Sequence, residues 1–418
     1  MAEGTVHIVR AGLAGLSTAV RLVERSRRVV LHEANRFAGG RCRSFHDPRL
    51  GRVIDNGNHL VLSGNRSARS YLAAVGASDR MVEQPARFPF VDLAEDRRWV
   101  QFMNRGPVPW WIAAPGRRVP ETSATDYLAG FRLAFAGPDR TVAEALPGRG
   151  PAWHRFWEPL TIAAINAPPE RASARLLWAV LSETFARGER QCRPLLAPEG
   201  LSAALVDPAL AWLRARGVES RFGRVLRRVE TQAGRATALR FADGEEALGT
   251  ADRVVLALPP NRLRAVLPEV DPPDGPGTIV NAFFVLPNPP PDAAPLILGV
   301  LSATAQWIFR RGDVVSVTVS AAETTGLSHR DGDKIIATIW EEIKILLGLD
   351  TETSYWNTRL VKHHRATFDQ SPAGVAKRLG PRIGLANLVL AGDATDTGLP
   401  ATIESAIRSG ERAAALVG

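Results

Sequence analysis

Apolar and polar positions along the chain change period several times, and the changes mark its elements. Val6-His7-Ile8-Val9 is a short, mostly apolar run bounded by a turn, as expected of a buried strand. A small-residue turn follows from Arg10 to Gly15, then an Ala/Leu/Val-rich helical run, then Val29-Val30-Leu31-His32-Glu33 as a second strand. Helical spacing recurs over Ser123–Phe135, Ala172–Phe185, Gly200–Arg216 and Lys334–Leu347. Strand patterns are read at Ser220–Val229, Ala236–Phe241 and Arg253–Leu258, in succession up to a Pro259-Pro260 stop, which predicts an antiparallel meander. Ile279–Val285, Gln306–Arg310 and Val314–Val319 are further strand candidates. Near the C-terminus an apolar run, Leu388–Ala391, delivers Gly392-Asp393, and a helix begins near Pro400.

The first strand, turn, helix and second strand form a βαβ pattern. In such a unit glycines let the backbone approach a pyrophosphate, the helix N-terminus stabilises its charge, and an acid about twenty residues on binds a ribose hydroxyl. Gly12, Gly15 and Glu33 occupy three of those positions, with Ala11, Leu13 and Ala14 filling the turn and Ala34 following the acid. Arg10 stands where the first glycine belongs. A side chain there either strains the turn, at roughly 1–3 kcal/mol, or swings its guanidinium away from the phosphates. Gly39-Gly40-Arg41 follows at a spacing typical of flavoproteins, where Gly40 and Arg41 approach the cofactor phosphates. Further along, Gly57 suits a backbone lying against a flat ring, with Asn58 and His59 beside it. The Asp393 carboxylate can accept a ribityl hydroxyl, and the first helical amides, Ala401, Thr402 and Ile403, face an anionic flavin edge. In the meander register Val225 lies near the adenine. The fold class expected is α/β: an FAD-binding Rossmann-like domain of the GR2 flavoprotein type over 1–64, 196–265 and 381–418. An α+β substrate domain, 65–195 and 266–380, is inserted in it.

Composition narrows the partners. At 418 residues, 45% hydrophobic and 23% charged, the chain is long enough for two or three domains. The net charge of +9 comes from scattered arginines without a basic run carrying interleaved aromatics, which argues against nucleic-acid binding. Two cysteines, Cys42 and Cys192, have no metal-ligand spacing and no disulfide framework, so no metal is expected and a reducing cytoplasm is the expected location. Tryptophans and prolines concentrate between about 65 and 195, which suits either a helical core or a pocket for a long apolar molecule. Trp110-Trp111-Ile112 is a candidate interfacial anchor for a peripheral contact with the inner face of the membrane.

Three internal segments carry a resemblance along nearly the whole chain. Arg43–Asp47 with Ile54–His59, Asn166–Ala174 and Thr395–Glu404 resemble the FAD-dependent hydroxysqualene dehydroxylases of bacterial squalene and hopanoid synthesis, within the amine-oxidase and phytoene-desaturase superfamily. The resemblance implies non-covalent FAD and reductive removal of a hydroxyl from hydroxysqualene to give squalene. A dry apolar pocket protects the resulting allylic cation while the flavin delivers hydride. An acid must help water leave, and His59 and Asp396 are the candidates because their segments border the flavin. The sequence departs from its relatives at Arg10 and at Ala394, where an aromatic residue is common. A carotenoid-type desaturase, or a non-catalytic isoprenoid carrier like the Rab-escort and GDP-dissociation-inhibitor relatives, shares the same sites. The reductant is not legible.

Overall fold

The computed structural model describes residues 4–146, 148–291 and 294–418. Its centre is a five-stranded parallel sheet in the order Glu219–Phe222, Val29–Glu33, Val6–Val9, Arg253–Leu256, Leu388–Leu390. Every residue of Val6–Val9 and Val29–Glu33 is buried, as a parallel strand covered on both faces requires. The helices Leu13–Val23 and Ile403–Val417 cover one face, joined in a common core by Leu16, Leu22, Ile407 and Ala414. Leu239 and Phe241 of a separate three-stranded antiparallel sheet pack with Val254 and Leu256 on the other side.

That arrangement corrects the expected meander. The run Ser220–Val229 is not one strand: the chain turns at Gly223, with φ at +79°, a left-handed conformation that favours glycine. Glu219–Phe222 joins the central sheet beside Val29–Glu33, and Leu226–Gln232 pairs instead with Arg235–Phe241. The third meander strand is the polar Gly244–Ala247. Arg253–Leu256 lies between two central strands, where its apolar run is hidden on both faces.

A seven-stranded mixed sheet stands across from this unit, in the order Asn357–Thr367, Gly277–Val285, Val314–Val319, Trp307–Arg311, Ile297–Leu301, Arg87–Asp92, Arg97–Phe102. Strand alternation divides its side chains between two faces. Val280, Ala282, Phe284, Val315 and Val317 pack on Ile335, Ile339, Trp340 and Ile343 of the helix Gly332–Leu347. Phe283 on the opposite face packs on Leu50 and Ile54, so Asn281 and Thr318, paired on that face, look toward the central unit. A helical layer completes the fold, its core formed by Leu133, Trp157, Ile165, Leu176 and Leu177. In it the expected helix Ser123–Phe135 is α-helical only over Ala124–Leu128 and tightens to a 3-10 helix over Ala129–Phe135. A Cβ on Gly130 would sit 2.5 Å from the Trp157 ring, so the indole packs directly on bare backbone there.

Two placements bear on the site. The helix Arg66–Ala74 returns to the central core, where Ala68, Tyr71 and Leu72 are buried and Tyr71 donates to the Leu205 carbonyl at 2.8 Å. Of the candidate anchor, Trp111 and Ile112 are core residues, 6% and 9% exposed, because Trp111 stacks edge-on against Tyr127; Trp110 alone is exposed. Among the described residues no helix is long and apolar enough to cross a membrane.

Candidate active site

The carboxyl ends of the central strands meet the polar face of the seven-stranded sheet, and most of the residues singled out by sequence lie about this junction. The turn after Val9 is strained as its sequence requires: Arg10 has φ at +93°. Its guanidinium turns onto Glu33, Nη1 to Oε1 at 2.9 Å. Glu33 is buried and also accepts the amides of Ala11 at 2.8 Å and Asn35 at 2.9 Å. The glycines of the turn do different work. A Cβ on Gly15 would lie 1.9 Å from the Arg10 carbonyl oxygen, so Gly15 permits the helix to pack on the turn. A Cβ on Gly12 would meet no atom within 4 Å, and one on Gly40 would meet only the Gly12 Cα at 3.5 Å. Gly12 caps the helix Leu13–Val23 without any side-chain hydrogen bond, leaving its first amides, beginning with Leu13 and Ala14, directed into the groove between Gly12 and Gly40. That groove admits a group that must approach bare backbone, and an anionic dinucleotide fits it. Arg224 donates its amide to the Glu33 carbonyl at 2.9 Å, which brings Val225 to the same strand end, next to half-buried Ala34.

Beyond the groove, Arg41 forms a short ion pair with Asp393 and donates to the Ala366 carbonyl at 2.7 Å. The Asp393 charge raises the Arg41 pKa. Asp393 itself is buried, following Gly392, whose φ of +133° lets the chain turn off the central strand. Gly57 lies against the sheet: a Cβ there would be 3.2 Å from Asn281 Nδ2. Asn58 is committed to that sheet, donating to Thr318 Oγ1 at 3.0 Å and accepting from Ser316 Oγ at 3.1 Å. Its side chain is therefore turned from the groove, leaving the backbone of 57–59 as the face toward a cofactor. Burial lowers the His59 pKa to about 4, which outweighs the nearby Asp55 charge. His59 is thus a neutral imidazole near pH 7 and holds no imidazolium proton for a departing hydroxyl.

Two expected positions need correction. Asp396 is not brought to the junction: its side chain is 61% exposed and accepts the Gly398 amide at 3.2 Å on the outer side of the loop. The Ala401 amide is already taken, donating to Gln370 Oε1 at 2.7 Å. Thr402 is the N-cap of the helix Ile403–Val417, its Oγ1 accepting the Ser405 amide at 3.1 Å. The amides of Thr402 and Ile403 precede any intrahelical acceptor and are the ones left for an anionic edge. Gln370 was missed because a lone glutamine carries no pattern. Arg378 was missed too: buried, it donates to the carbonyls of Leu399 at 2.8 Å and Asp393 at 2.9 Å and to Thr397 Oγ1 at 3.1 Å, bracing the loop from within. Burial lowers its pKa.

The same helix N-terminus borders a large cavity that opens to solvent. Its wall is largely apolar, with Phe88, Phe90, Met103 and Trp307 from the mixed sheet and Phe156, Leu160 and Val180 from the helical layer. Leu399, Pro400, Thr402 and Ile403 connect it to the flavin-side loop. Among the described residues no cluster of His, Cys, Asp and Glu could hold a metal ion.

Comparison with known proteins agrees with this geometry. Residues 13–418 match the family model for flavin containing amine oxidoreductase. A hydroxysqualene dehydroxylase from Rhodopseudomonas palustris is 42% identical over 99% of this chain and 98% of its own length. One from Sinorhizobium fredii is 41% identical over 98% and 97%. A probable zeta-carotene desaturase from Synechococcus elongatus is more distant, 24% identical over 57% of this chain and 55% of its own. Among solved structures, a putrescine oxidase double mutant superposes with a TM-score of 0.72 at 16% identity, covering 99% of this chain and 98% of that one. Cyclohexylamine oxidase from Brevibacterium oxydans superposes at 0.69 and 13%, covering 99% and 98%. The parallel sheet with its glycine groove, and full-length identity above two fifths, place the chain as an FAD-dependent oxidoreductase of the flavin-containing amine oxidoreductase family, in its hydroxysqualene dehydroxylase branch.

Proposed function

We propose that this protein reduces hydroxysqualene to squalene, using FAD held between the central sheet and the mixed sheet. The observation that carries the reading is the apolar cavity that opens beside Thr402 and Ile403, in a chain 42% identical along its length to a hydroxysqualene dehydroxylase. The amides beginning at Leu13 and Ala14 and the bare backbone of Gly12 and Gly40 would hold the pyrophosphate, and Glu33 the adenosine ribose, with Val225 beside the adenine. Asp393, fixed by Arg41, would accept a ribityl hydroxyl. The backbone of Gly57–His59 and the amides of Thr402 and Ile403 would border the ring. These residues come from 1–64, 196–265 and 381–418, and the cavity wall comes chiefly from the intervening segments. FAD, once reduced by an external donor, supplies hydride to the carbon that loses its hydroxyl. The aromatic and aliphatic wall excludes water from that carbon and seats the isoprenoid chain.

A peripheral membrane contact fits the lipophilic substrate. Val108, Trp110, Leu128, Phe131 and Phe135 expose large apolar surface on the helical layer. The test of the function is anaerobic incubation of the dithionite-reduced holoprotein with hydroxysqualene, followed by product analysis. Stoichiometric squalene supports the reading. No squalene, with introduction of double bonds into a polyene by the oxidised protein, would replace it with a desaturase.

A further inference from the structure

Charged groups are rare on the cavity wall, and one of them sits where fold stability does not favour it. Glu183 is the last residue of the helix Ala174–Glu183, at the negative end of the helix dipole. It lines the cavity together with Glu404. Arg408 grips Glu183 through both carboxylate oxygens, at 2.9 and 2.6 Å, and reaches Glu404 at 3.0 Å. Glu404 is the more fully engaged of the two, because the amides of Ser67 and Ala68 also donate to it, at 3.0 and 2.9 Å, and its side chain is only 2% exposed. Glu183 receives one bond on each oxygen and has 30% of its side chain exposed, so its remaining lone pairs are open. Arg155, the other charged group on the wall, is held by Glu95 and Glu121. Two carboxylates against one guanidinium leave the Glu183–Arg408–Glu404 group with one net negative charge, beside an apolar space where charge is poorly screened.

We propose that Glu183 is a catalytic residue that stabilises the positive charge developing on the substrate. The inference rests on the reductive dehydroxylation proposed above. In that reaction the C–O bond breaks with its electron pair on oxygen, and a proton from solvent completes water. The carbon becomes an allylic cation and is reduced by the hydride, while the flavin is oxidised. A fixed negative charge facing that carbon acts in the transition state and little in the ground state. Arg408 and Glu404 are positioning residues: they hold the Glu183 carboxylate at the wall.

Two measurements on the FAD-loaded full chain test this. Glu183→Gln keeps the shape and removes the charge; kcat is expected to fall about 100-fold with hydroxysqualene Kd and flavin content within threefold of native. Glu183→Asp is expected to recover most of kcat. An ion pair serving only to join two helices would move thermal stability and leave kcat alone, and kcat within threefold of native in Glu183→Gln would overturn the proposal. The native protein supplies the second measurement without any variant. An aza-analogue of squalene, with an ammonium nitrogen at the reacting carbon, is expected to bind at least about tenfold more tightly than squalene, and equal binding would also overturn it. Failure of native enzyme to convert hydroxysqualene would remove the functional reading instead, a result distinct from loss of the ammonium preference.

Discussion

Replacing Arg10 by glycine tests the turn on which cofactor binding depends. Arg10 adopts φ +93°, a conformation costing a non-glycine residue about 1–3 kcal/mol. Glycine removes that strain but loses about 0.5–1 kcal/mol through its freer unfolded chain. The Arg10–Glu33 pair also goes; with Arg10 21% and Glu33 4% exposed, it is worth about 1 kcal/mol at most. Glu33 is not orphaned, since the Ala11 and Asn35 amides still donate to it. These opposing effects leave the apoprotein between about 1 kcal/mol less and about 2.5 kcal/mol more stable than native. Affinity for FAD is a separate quantity, because the strain is present with and without cofactor. It changes because Arg10 is one of three donors crowding Glu33 Oε1, with the Asn35 amide and Nδ2, and its removal opens one acceptor site on the carboxylate that would bind a ribose hydroxyl. Freeing one charge-assisted hydrogen bond of about 1–1.5 kcal/mol tightens Kd about five- to tenfold. Isothermal titration of deflavinated Arg10→Gly against FAD measures this directly, with Arg10→Ala as the control that keeps the strain. Weaker FAD binding by the glycine variant would mean that the guanidinium leaves Glu33 for the phosphates, and the account of the turn would be wrong.

Other consequences are quickly stated. Asp393→Ala should weaken FAD binding by about 1.5–3 kcal/mol and Asp396→Ala hardly at all, since the second carboxylate is exposed; equal effects in a flavin titration would count against the assignment. Gly15→Ala should abolish flavin retention and lower thermal stability, because its methyl group would strike the Arg10 carbonyl; normal flavin content after gel filtration would contradict this. His32 is fully buried, stacked on Phe241, and burial lowers its pKa to about 3. Its neutral folded form therefore contributes stability that is complete above the unfolded value near 6.5 and is lost as pH falls from there toward 3. The loss is about 1.4 kcal/mol for each pH unit below 6.5. His32→Leu should flatten the fall in melting temperature between pH 7 and 5, and an unchanged slope would exclude His32 as its source.

The periodic and glycine-marked parts of the fold were legible because one local rule governs each. Strand, turn, helix and strand at Val6–Glu33 follow from apolar runs and small residues, and Gly392-Asp393 follows a strand of the same kind. The misreadings arose where tertiary partners decide. Arg253–Leu256 is an apolar run buried between two central strands, whereas Leu226–Gln232 is largely polar and half exposed; both read as strands, and only their partners show that they belong to different sheets. Asp393 directly follows the strand end, which the sequence shows; that Asp396, three residues on in the same loop, turns to solvent it does not show. Glu183 and Arg408 meet across 225 residues, beyond the reach of any motif.

Arg378 carries a consequence for how this family can vary. It reads the loop after Asp393 mainly through backbone carbonyls, which every residue type possesses. The loop's shape is thus recorded largely in a residue outside it, with the side chain at 394 free of that task and Asp396 adding one local bond to the Gly398 amide. The small alanine at 394 is then a permitted spelling of that curve. A change at Arg378 would erase the curve while leaving every letter of the loop intact.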